Sequence, residues 1–110
     1  MINKEIISST DSVYNYLDND KILGYLEIRL VDGVVDIVNL FVNEEDRKKG
    51  IATSLMNEMM NKENYNRIML EVNENNKEAL RLYSKLGFKE INLRERYYGS
   101  DTAIIMEKVK

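Results

Sequence analysis

The sequence predicts an α/β domain (α+β mixed sheet) in which an antiparallel meander is followed by a βαβ crossover and two hairpin-like C-terminal strands. Two observations indicate the meander. Apolar and polar residues alternate through Ile22–Val31 and an apolar strand-like run covers Val34–Val42, and Asp32-Gly33 between them is typical of a two-residue hairpin turn. A third observation indicates the crossover, because two later segments with apolar residues at helical spacing flank an alternating segment. With 110 residues, the chain is expected to form a single domain over residues 1–110.

The same patterns predict the individual elements. Strands are predicted at Ser12–Leu17, Ile22–Val31, Val34–Val42, Arg67–Val72, Phe88–Leu93 and Thr102–Glu107, and helices over Ile51–Asn61 and Lys77–Leu86. The strands before and after the first helix are expected to pair in parallel, because such a crossover connects parallel strands. Met1–Thr10 fits a brief strand or a helical turn. Arg94–Asp101 is expected to be a polar link between the last two strands.

Residue types that are missing from the chain limit its chemistry. There is no Cys and no His, which leaves no disulfide, thiol nucleophile, imidazole base or common metal ligand. Acid–base chemistry therefore falls to Glu, Asp, Tyr or Lys. The net charge of −3 argues against a dedicated nucleic-acid binder. The chain has no long apolar stretch and no apolar N-terminal segment, which predicts a cytoplasmic protein without a membrane span.

A basic turn with a glycine, RKKG at residues 47–50, connects the strand that ends at Val42 to the helix that begins at Ile51. Backbone N–H groups at a helix N-terminus are unpaired and carry about half a positive charge, and a glycine lets an anion approach them closely. The segment therefore predicts a phosphate-binding site. A Walker motif needs Lys and then Ser or Thr after its last glycine, and a dinucleotide fingerprint needs three spaced glycines; neither is present.

Three segments resemble one family. Residues 47–52, Arg-x-x-Gly-x-Ala, resemble the pyrophosphate-binding motif of the GNAT acetyltransferase superfamily, although this motif alone also fits a capped helix with a charged first turn. Leu70–Phe88 resembles the family segment Leu-Glu-Val-x-x-x-Asn-x-x-Ala-x-x-Leu-Tyr-x-x-x-Gly-Phe. Arg94–Met106 is similar to the ending of the RimI branch, the N-terminal alanine acetyltransferases of a small-subunit ribosomal protein. The resemblance covers roughly residues 21–107.

The resemblance implies a GNAT fold and an acetyl-CoA-dependent N-acetyltransferase that transfers acetyl directly to a protein N-terminal α-amine, without a metal. It implies Glu71 as the general base and Tyr83 as the general acid. It also implies that the N–H of Val42 binds the thioester carbonyl. The cofactor-binding residues that it implies are Leu40, Phe41 and Val42 along the pantetheine arm, Arg47, Lys48, Lys49, Gly50, Ile51, Ala52 and Thr53 at the pyrophosphate, and Asn76 at acetyl-CoA.

Each of these side chains also has a purely structural interpretation. Glu71 fits a solvated glutamate on a strand face, and Tyr83 fits a core residue of its helix. Asn76 fits a helix N-cap, a role that is compatible with contacting a ligand. Tyr97 and Tyr98 fit either surface packing or one wall of an acceptor cleft that binds substrate.

The N-terminal region departs from the family pattern. The family has a strand and two helices before the strand predicted at Ser12, and those helices wall the acceptor site, whereas 11 residues precede Ser12 here. The sequence therefore leaves three possible acceptors, which are a protein N-terminus, a lysine and a small amine.

Two alternatives belong to other functional classes. One is a non-catalytic CoA-binding or interaction module, and the other is an RNA binder that uses the basic turn. An apolar sheet face left uncovered would be covered by a second subunit, which predicts a homodimer.

Overall fold

The computed structural model describes the backbone from Met1 to Lys110 and the side chains of residues 1–95 and 99–110. The chain forms one seven-stranded mixed sheet and two α-helices. The elements are β1 Ile2–Ile6, β2 Asp11–Asp18, β3 Lys21–Val31, β4 Val34–Val42, α1 Ile51–Lys62, β5 Arg67–Asn73, α2 Lys77–Lys85, β6 Lys89–Tyr98 and β7 Asp101–Val109. The strand order in the sheet is β1-β2-β3-β4-β5-β7-β6.

The predicted meander is confirmed, since β2, β3 and β4 pair antiparallel in sequence order. Asp32 and Gly33 form the turn between β3 and β4 with positive φ angles of 50° and 79°. Such angles suit the right-handed twist of a two-residue hairpin. The predicted crossover is confirmed as well, because β4 and β5 flank α1 and pair in parallel.

The sheet opens between β4 and β5. The two strands pair only from Val34–Asp36 to Arg67–Met69. Beyond that point Val38 is an extra residue in β4, because Ile28 on β3 pairs with Ile37 while Glu27 pairs with Asn39. A bulge of this kind bends the strand and increases its twist. β5 continues alongside β7 as far as Asn73, so the second halves of β4 and β5 face a gap.

The N-terminal segment, for which the sequence left two interpretations, is the edge strand β1. It pairs antiparallel with β2, and the N–H of Leu17 donates to the carbonyl of Met1 at 2.7 Å. Most residues of β1 are exposed. An edge strand that buries neither face shows no apolar alternation, which explains why the sequence signal was weak. The four residues 7–10 turn the chain from β1 directly into β2.

The prediction that Arg94–Asp101 is a polar link is wrong. β6 runs to Tyr98 and β7 begins at Asp101, so only Gly99 and Ser100 lie between them. β6 is the other edge of the sheet, where polar side chains are compatible with a strand because water covers them. Gly99 has a φ of 74°, which suits the tight turn that the polar composition concealed.

The two faces of the sheet differ in composition. Tyr14, Leu26, Ile28, Ile68 and Leu70 lie on one face and are almost completely buried. Both helices add side chains to the same core cluster, including Leu55, Met56, Met59 and Tyr83. Neither helix of the described chain is long and apolar enough to cross a membrane.

The opposite face, here called the open face, consists of the side chains that alternate with this core. Pairing across the sheet places Asn15, Tyr25, Glu27, Arg29, Asn39, Phe41, Glu71 and Arg94 there. The face mixes these polar side chains with apolar ones, which include Val13, Met69 and Ile105 besides the aromatic pair Tyr25 and Phe41. A homodimer that packs through this face would therefore bury a mixed surface and not an apolar one. The homodimer stays a prediction.

A buried polar cluster joins β1, β2 and the end of α1. The hydroxyl of Tyr14 donates to Glu63, whose carboxylate also lies 2.8 Å from the Nζ of Lys4. Burial opposes ionisation of Glu63, but the hydrogen bonds from Lys4 and Tyr14 outweigh it and keep its pKa below the ordinary value. The charged carboxylate is thus the form that the fold stabilises.

Replacing Glu63 tests this cluster. Glu63→Ala leaves the buried hydroxyl of Tyr14 without its acceptor, so the free energy of unfolding should fall by about 1–3 kcal/mol at pH 7. Glu58→Ala is the control, because Glu58 pairs with Lys62 at 3.0 Å on the surface of α1. Such a pair contributes about 0.2–0.5 kcal/mol. Denaturant unfolding measures both, and equal losses would contradict a special role for Glu63.

The same variant predicts a pH dependence. A carboxyl whose pKa is lowered in the folded state stabilises the protein above its ordinary pKa of 4.5, and this contribution is lost as the pH falls through the folded-state pKa. The difference in unfolding free energy between the wild type and Glu63→Ala should therefore shrink below about pH 4.5. A difference that grows on acidification would contradict the direction of the shift.

Candidate active site

A cleft of about 570 Å³ occupies the gap between β4 and β5. Its walls are the second half of β4, the end of β5 and the first turns of α1 and α2. Of the residues predicted from the sequence, Leu40, Phe41, Val42, Arg47, Lys48, Gly50, Ile51, Ala52, Thr53, Glu71, Asn76 and Tyr83 line it. These predicted residues therefore lie together around one cleft.

The end of β4 presents backbone groups to the cleft. The N–H of Asn43 donates to the carbonyl of Leu23 on β3 at 2.9 Å. Because successive backbone groups of a strand point to opposite edges, the N–H of Val42 faces the cleft. Its carbonyl accepts a hydrogen bond of 3.1 Å from the Nε of Arg47. This bond ties the basic turn to the strand and leaves the N–H of Val42 as a donor for a ligand.

The basic turn forms an anion cradle at the start of α1. Gly50 is the N-cap of α1 with a φ of 81°, Lys48 has a φ of 65°, and no side chain caps the helix. Alternation of positive and negative φ turns successive N–H groups inward, and the first N–H groups of a helix have no internal acceptor. A Cβ added at Gly50 would meet no atom within 4 Å, so the space beside these groups is open.

Close packing fixes the position of this cradle. A Cβ added at Gly24 on β3 would lie 2.8 Å from the carbonyl oxygen of Phe41 and 3.2 Å from a methyl group of Ile51. The absence of a side chain at Gly24 therefore lets the first residue of α1 lie directly on the sheet. Ile51 is 4% exposed, which anchors the N-terminus of the helix at the mouth of the cleft.

Lys49 is placed differently from the other residues of the predicted set. Its Nζ lies 3.3 Å from Asp46, a carboxylate that is largely buried and also accepts from Asn43. The side chain of Lys49 does not line the cleft. It holds the turn in shape, and only its backbone belongs to the cradle. The sequence does not indicate which of the two lysine side chains faces the cleft, since Lys48 and Lys49 are chemically identical neighbours.

Asn76 begins α2 at the opposite wall. Its side-chain oxygen accepts a hydrogen bond of 3.1 Å from the N–H of Ala79, so the N-cap interpretation is confirmed. The cap occupies only the oxygen of the amide. The NH2 group is left as a donor at the cleft wall, which is compatible with the predicted contact to a ligand.

Tyr83 is buried to 6% exposure and packs against the ring of Phe88 at a centroid distance of 5.6 Å. It is part of the core and also lines the cleft. Burial raises its pKa to about 12. The phenol therefore keeps its proton at all ordinary pH values, as a proton donor must.

Glu71 enters the cleft from the open face. It is exposed, and its carboxylate lies 3.1 Å from a guanidinium nitrogen of Arg94. The sequence alone gives no signal for this pair. Arg94 lies on β6 and reaches Glu71 on β5 across the intervening β7, and such a contact depends on the order and register of three strands.

Tyr97 and Tyr98, the predicted substrate-binding residues, are the last two residues of β6. Their side chains lie outside the described residues. Their role in binding an acceptor stays a prediction.

The geometry is that of an α/β domain with an open cleft and an anion cradle in a split between two parallel strands. The chain belongs to the acetyltransferase (GNAT) family, whose model matches residues 3–88. The N-alpha-acetyltransferase of Saccharolobus solfataricus is 37% identical over 95 residues, which cover 80% of this chain and 57% of that protein. The ribosomal protein bS18-alanine N-acetyltransferase of Escherichia coli is 27% identical over 100 residues, covering 84% of this chain and 68% of that protein. The predicted family and its RimI-like relationship are confirmed.

Solved structures support the same fold. The ribosomal-protein-S18-alanine N-acetyltransferase from Escherichia coli superimposes with a TM-score of 0.87 at 24% identity, covering 93% of this chain and 70% of that one. Structures with this fold from Bacillus anthracis and Elizabethkingia anophelis contain acetyl-CoA. The present chain spans 57% of the length of the Saccharolobus relative.

A matched pair of glycine variants tests the cradle. Gly50→Ala and Gly99→Ala both place a side chain at a positive φ, 81° and 74°, where the added Cβ meets no atom within 4 Å. Each should lose about 1–2 kcal/mol of unfolding free energy from backbone strain. Only Gly50→Ala fills the space beside the helix N-terminus, so only this variant should weaken acetyl-CoA binding, by about tenfold or 1.4 kcal/mol. Calorimetric titration measures the affinities, and equal affinities of the two variants would contradict the cradle.

Proposed function

We propose that this protein is an acetyl-CoA-dependent N-acetyltransferase that transfers acetyl directly to the α-amine of a protein N-terminus. The observation that carries the proposal is the convergence of three features on one cleft. These are the open cradle at Gly50, the free N–H of Val42 and the pair of proton-handling side chains Glu71 and Tyr83. The family supports the same chemistry.

The residues of the cleft have distinct roles in this proposal. The N–H groups after Gly50, together with Arg47 and Lys48, bind the pyrophosphate, as helix N-termini bind anions. Acetyl-CoA supplies an acetyl thioester, which is already activated for transfer. The N–H of Val42 binds the carbonyl oxygen, on which negative charge develops during transfer. Donors of this kind contribute about 3–4 kcal/mol in other enzymes.

Two side chains move protons in the transfer. The amine nitrogen forms a bond to the carbonyl carbon while the carbon–sulfur bond breaks. Glu71 takes the proton that the amine loses, directly or through one water, and Tyr83 gives its hydroxyl proton to the departing sulfur. Burial raises the pKa of Tyr83 to about 12. The phenol should therefore still carry the proton that it donates at every pH well below 12.

An α-amine is the acceptor that this chemistry favours. Its reference pKa is about 8, against about 10.4 for a lysine side chain, so the neutral nucleophile is far more abundant near neutral pH. The Saccharolobus relative is an N-alpha-acetyltransferase by name, which agrees with this choice. The uncovered open face beside Glu71 also admits a lysine or a small amine, which is therefore the second candidate.

The acceptor class can be determined by measuring thiol release from acetyl-CoA. The acceptors are peptides that begin with Ala, Ser or Met, peptides with a blocked N-terminus and one lysine, and small polyamines. Fastest release with free peptide N-termini supports the proposal. Fastest release with lysine or polyamines would instead identify a lysine side chain or a small amine as the acceptor. Acetyl-CoA binding without release in any arm would identify a non-catalytic module.

Two variants test the proton-handling roles. Tyr83→Phe and Glu71→Gln should each lower kcat by about 10²–10⁴-fold, the usual contribution of general acid–base catalysis. The affinity for acetyl-CoA should change little, because neither side chain belongs to the cradle.

Matched controls exist for both variants. Tyr65→Phe removes the hydroxyl of another buried tyrosine, which lies outside the cleft. Glu107→Gln neutralises another paired carboxylate, which lies 2.8 Å from Arg67. Both controls should retain turnover. If Tyr83→Phe and Glu71→Gln turn over as fast as these controls, the assigned roles are wrong.

The homodimer remains a prediction, and an RNA partner remains an alternative to the prediction that the protein binds no nucleic acid. Sedimentation at micromolar concentration tests the homodimer, and a monomer would contradict it. Binding to RNA through the basic turn would compete with acetyl-CoA for the same N–H groups. An acetyl-CoA-dependent rise in melting temperature that RNA does not reduce would argue against nucleic acid.

A further inference from the structure

We propose that Tyr25 and Phe41, here called the aromatic shelf, bind the side chain of the acceptor's first residue. The shelf makes the enzyme prefer N-termini that begin with a large apolar residue. This inference rests on the proposed function and adds a substrate class to it.

The aromatic shelf is a defined structure on the open face. Tyr25 on β3 and Phe41 on β4 are directly paired across the two strands. Their rings contact each other with centroids 5.7 Å apart and planes tilted by 36°. Asn39, two residues before Phe41, donates a hydrogen bond of 3.0 Å to the hydroxyl of Tyr25. This bond fixes the outer end of the tyrosine, so the shelf is held in place before a ligand arrives.

The shelf is partly exposed, with Phe41 exposed and Tyr25 half-buried, although aromatic rings are usually buried. Phe41 is 42% exposed, and the residues that surround the pair on the open face include Asn15, Glu27 and Asn39. These neighbours are polar, so the rings are not the edge of the hydrophobic core. Rigid aromatic side chains that line a concave site supply contact area at a low entropy cost. Because Phe41 also lines the cleft, the shelf and the cleft are continuous.

The shelf lies beside the place where the amine must react. Phe41 directly precedes Val42, whose N–H faces the cleft, and Glu71 stands on the opposite wall. An α-amine and the side chain of the same residue are bonded to one carbon. A nitrogen held between Val42 and Glu71 therefore keeps its own side chain within reach of Phe41. A lysine amine ends an unbranched chain and offers no such group, so the shelf favours an α-amine as well as a large apolar first residue.

A peptide series tests the shelf. The peptides are identical except for the first residue, which is Met, Leu, Phe, Ala, Ser or Gly, and kcat/KM is measured at saturating acetyl-CoA. The wild type should prefer Met, Leu and Phe over Ala, Ser and Gly by about tenfold or more, the range of discrimination that apolar contacts provide. Phe41→Ala and Tyr25→Ala should reduce this preference to within about threefold.

Three control variants separate the shelf from general damage. Phe41→Leu and Tyr25→Phe keep apolar volume and should keep most of the preference. Val31→Ala truncates another exposed apolar residue of β3 outside the cleft and should keep all of it. Thermal unfolding and the KM for acetyl-CoA show whether each variant folds and binds the cosubstrate.

The outcomes distinguish this inference from the proposed function. If the wild type acetylates peptides without preference, or if Phe41→Ala lowers kcat/KM equally for all six, the shelf is not the first-residue site. If no peptide is acetylated but lysine or polyamines are, the acceptor class itself is wrong and the shelf inference fails with it.

Discussion

The divergence of β4 from β5 is the constraint on which the rest of the site depends. Only three residues of each strand pair before the bulge at Val38 separates them. Beyond it, the backbone N–H of Val42 has no neighbouring strand on the cleft side. An unpaired edge inside a sheet is costly unless water or a ligand satisfies it. The split therefore makes part of the sheet itself a binding site, at a position that strand pairing defines.

The crossover places both helix N-termini at this split. α1 follows β4 and α2 follows β5, and parallel strands end at the same edge of a sheet. Gly50 and Asn76 therefore stand at opposite walls of one cleft. Each helix start contributes positive potential, while the chain as a whole carries a net charge of −3. The affinity for an anion thus comes from local backbone geometry and not from the overall charge.

Local signals in the sequence were sufficient where an element buries one face. The strand patterns around Asp32-Gly33 and the helical spacing after Gly50 predicted the meander and the crossover, and the resemblance to the GNAT family implied the residues that line the cleft. The edge strand β1 was left with two interpretations and the edge strand β6 was predicted too short, because neither face of an edge strand needs to be apolar. The pairing of Glu71 with Arg94 depends on strand order, which a single sequence does not record. The direction of the Lys49 side chain depends on Asp46, which is buried only after folding.

In the proposed mechanism, the two proton transfers occur from opposite faces of the sheet. Tyr83 reaches the cleft from the helix-covered face, where burial raises its pKa to about 12 and keeps the donor protonated. Glu71 reaches it from the open face, in solvent and beside Arg94. In a chain without histidine, the proposed mechanism divides between a phenol and a carboxylate the proton transfers that one imidazole can perform. The amine would then approach from the open face and the thioester from the split, so that the two reactants meet at Val42 without competing for the same surface.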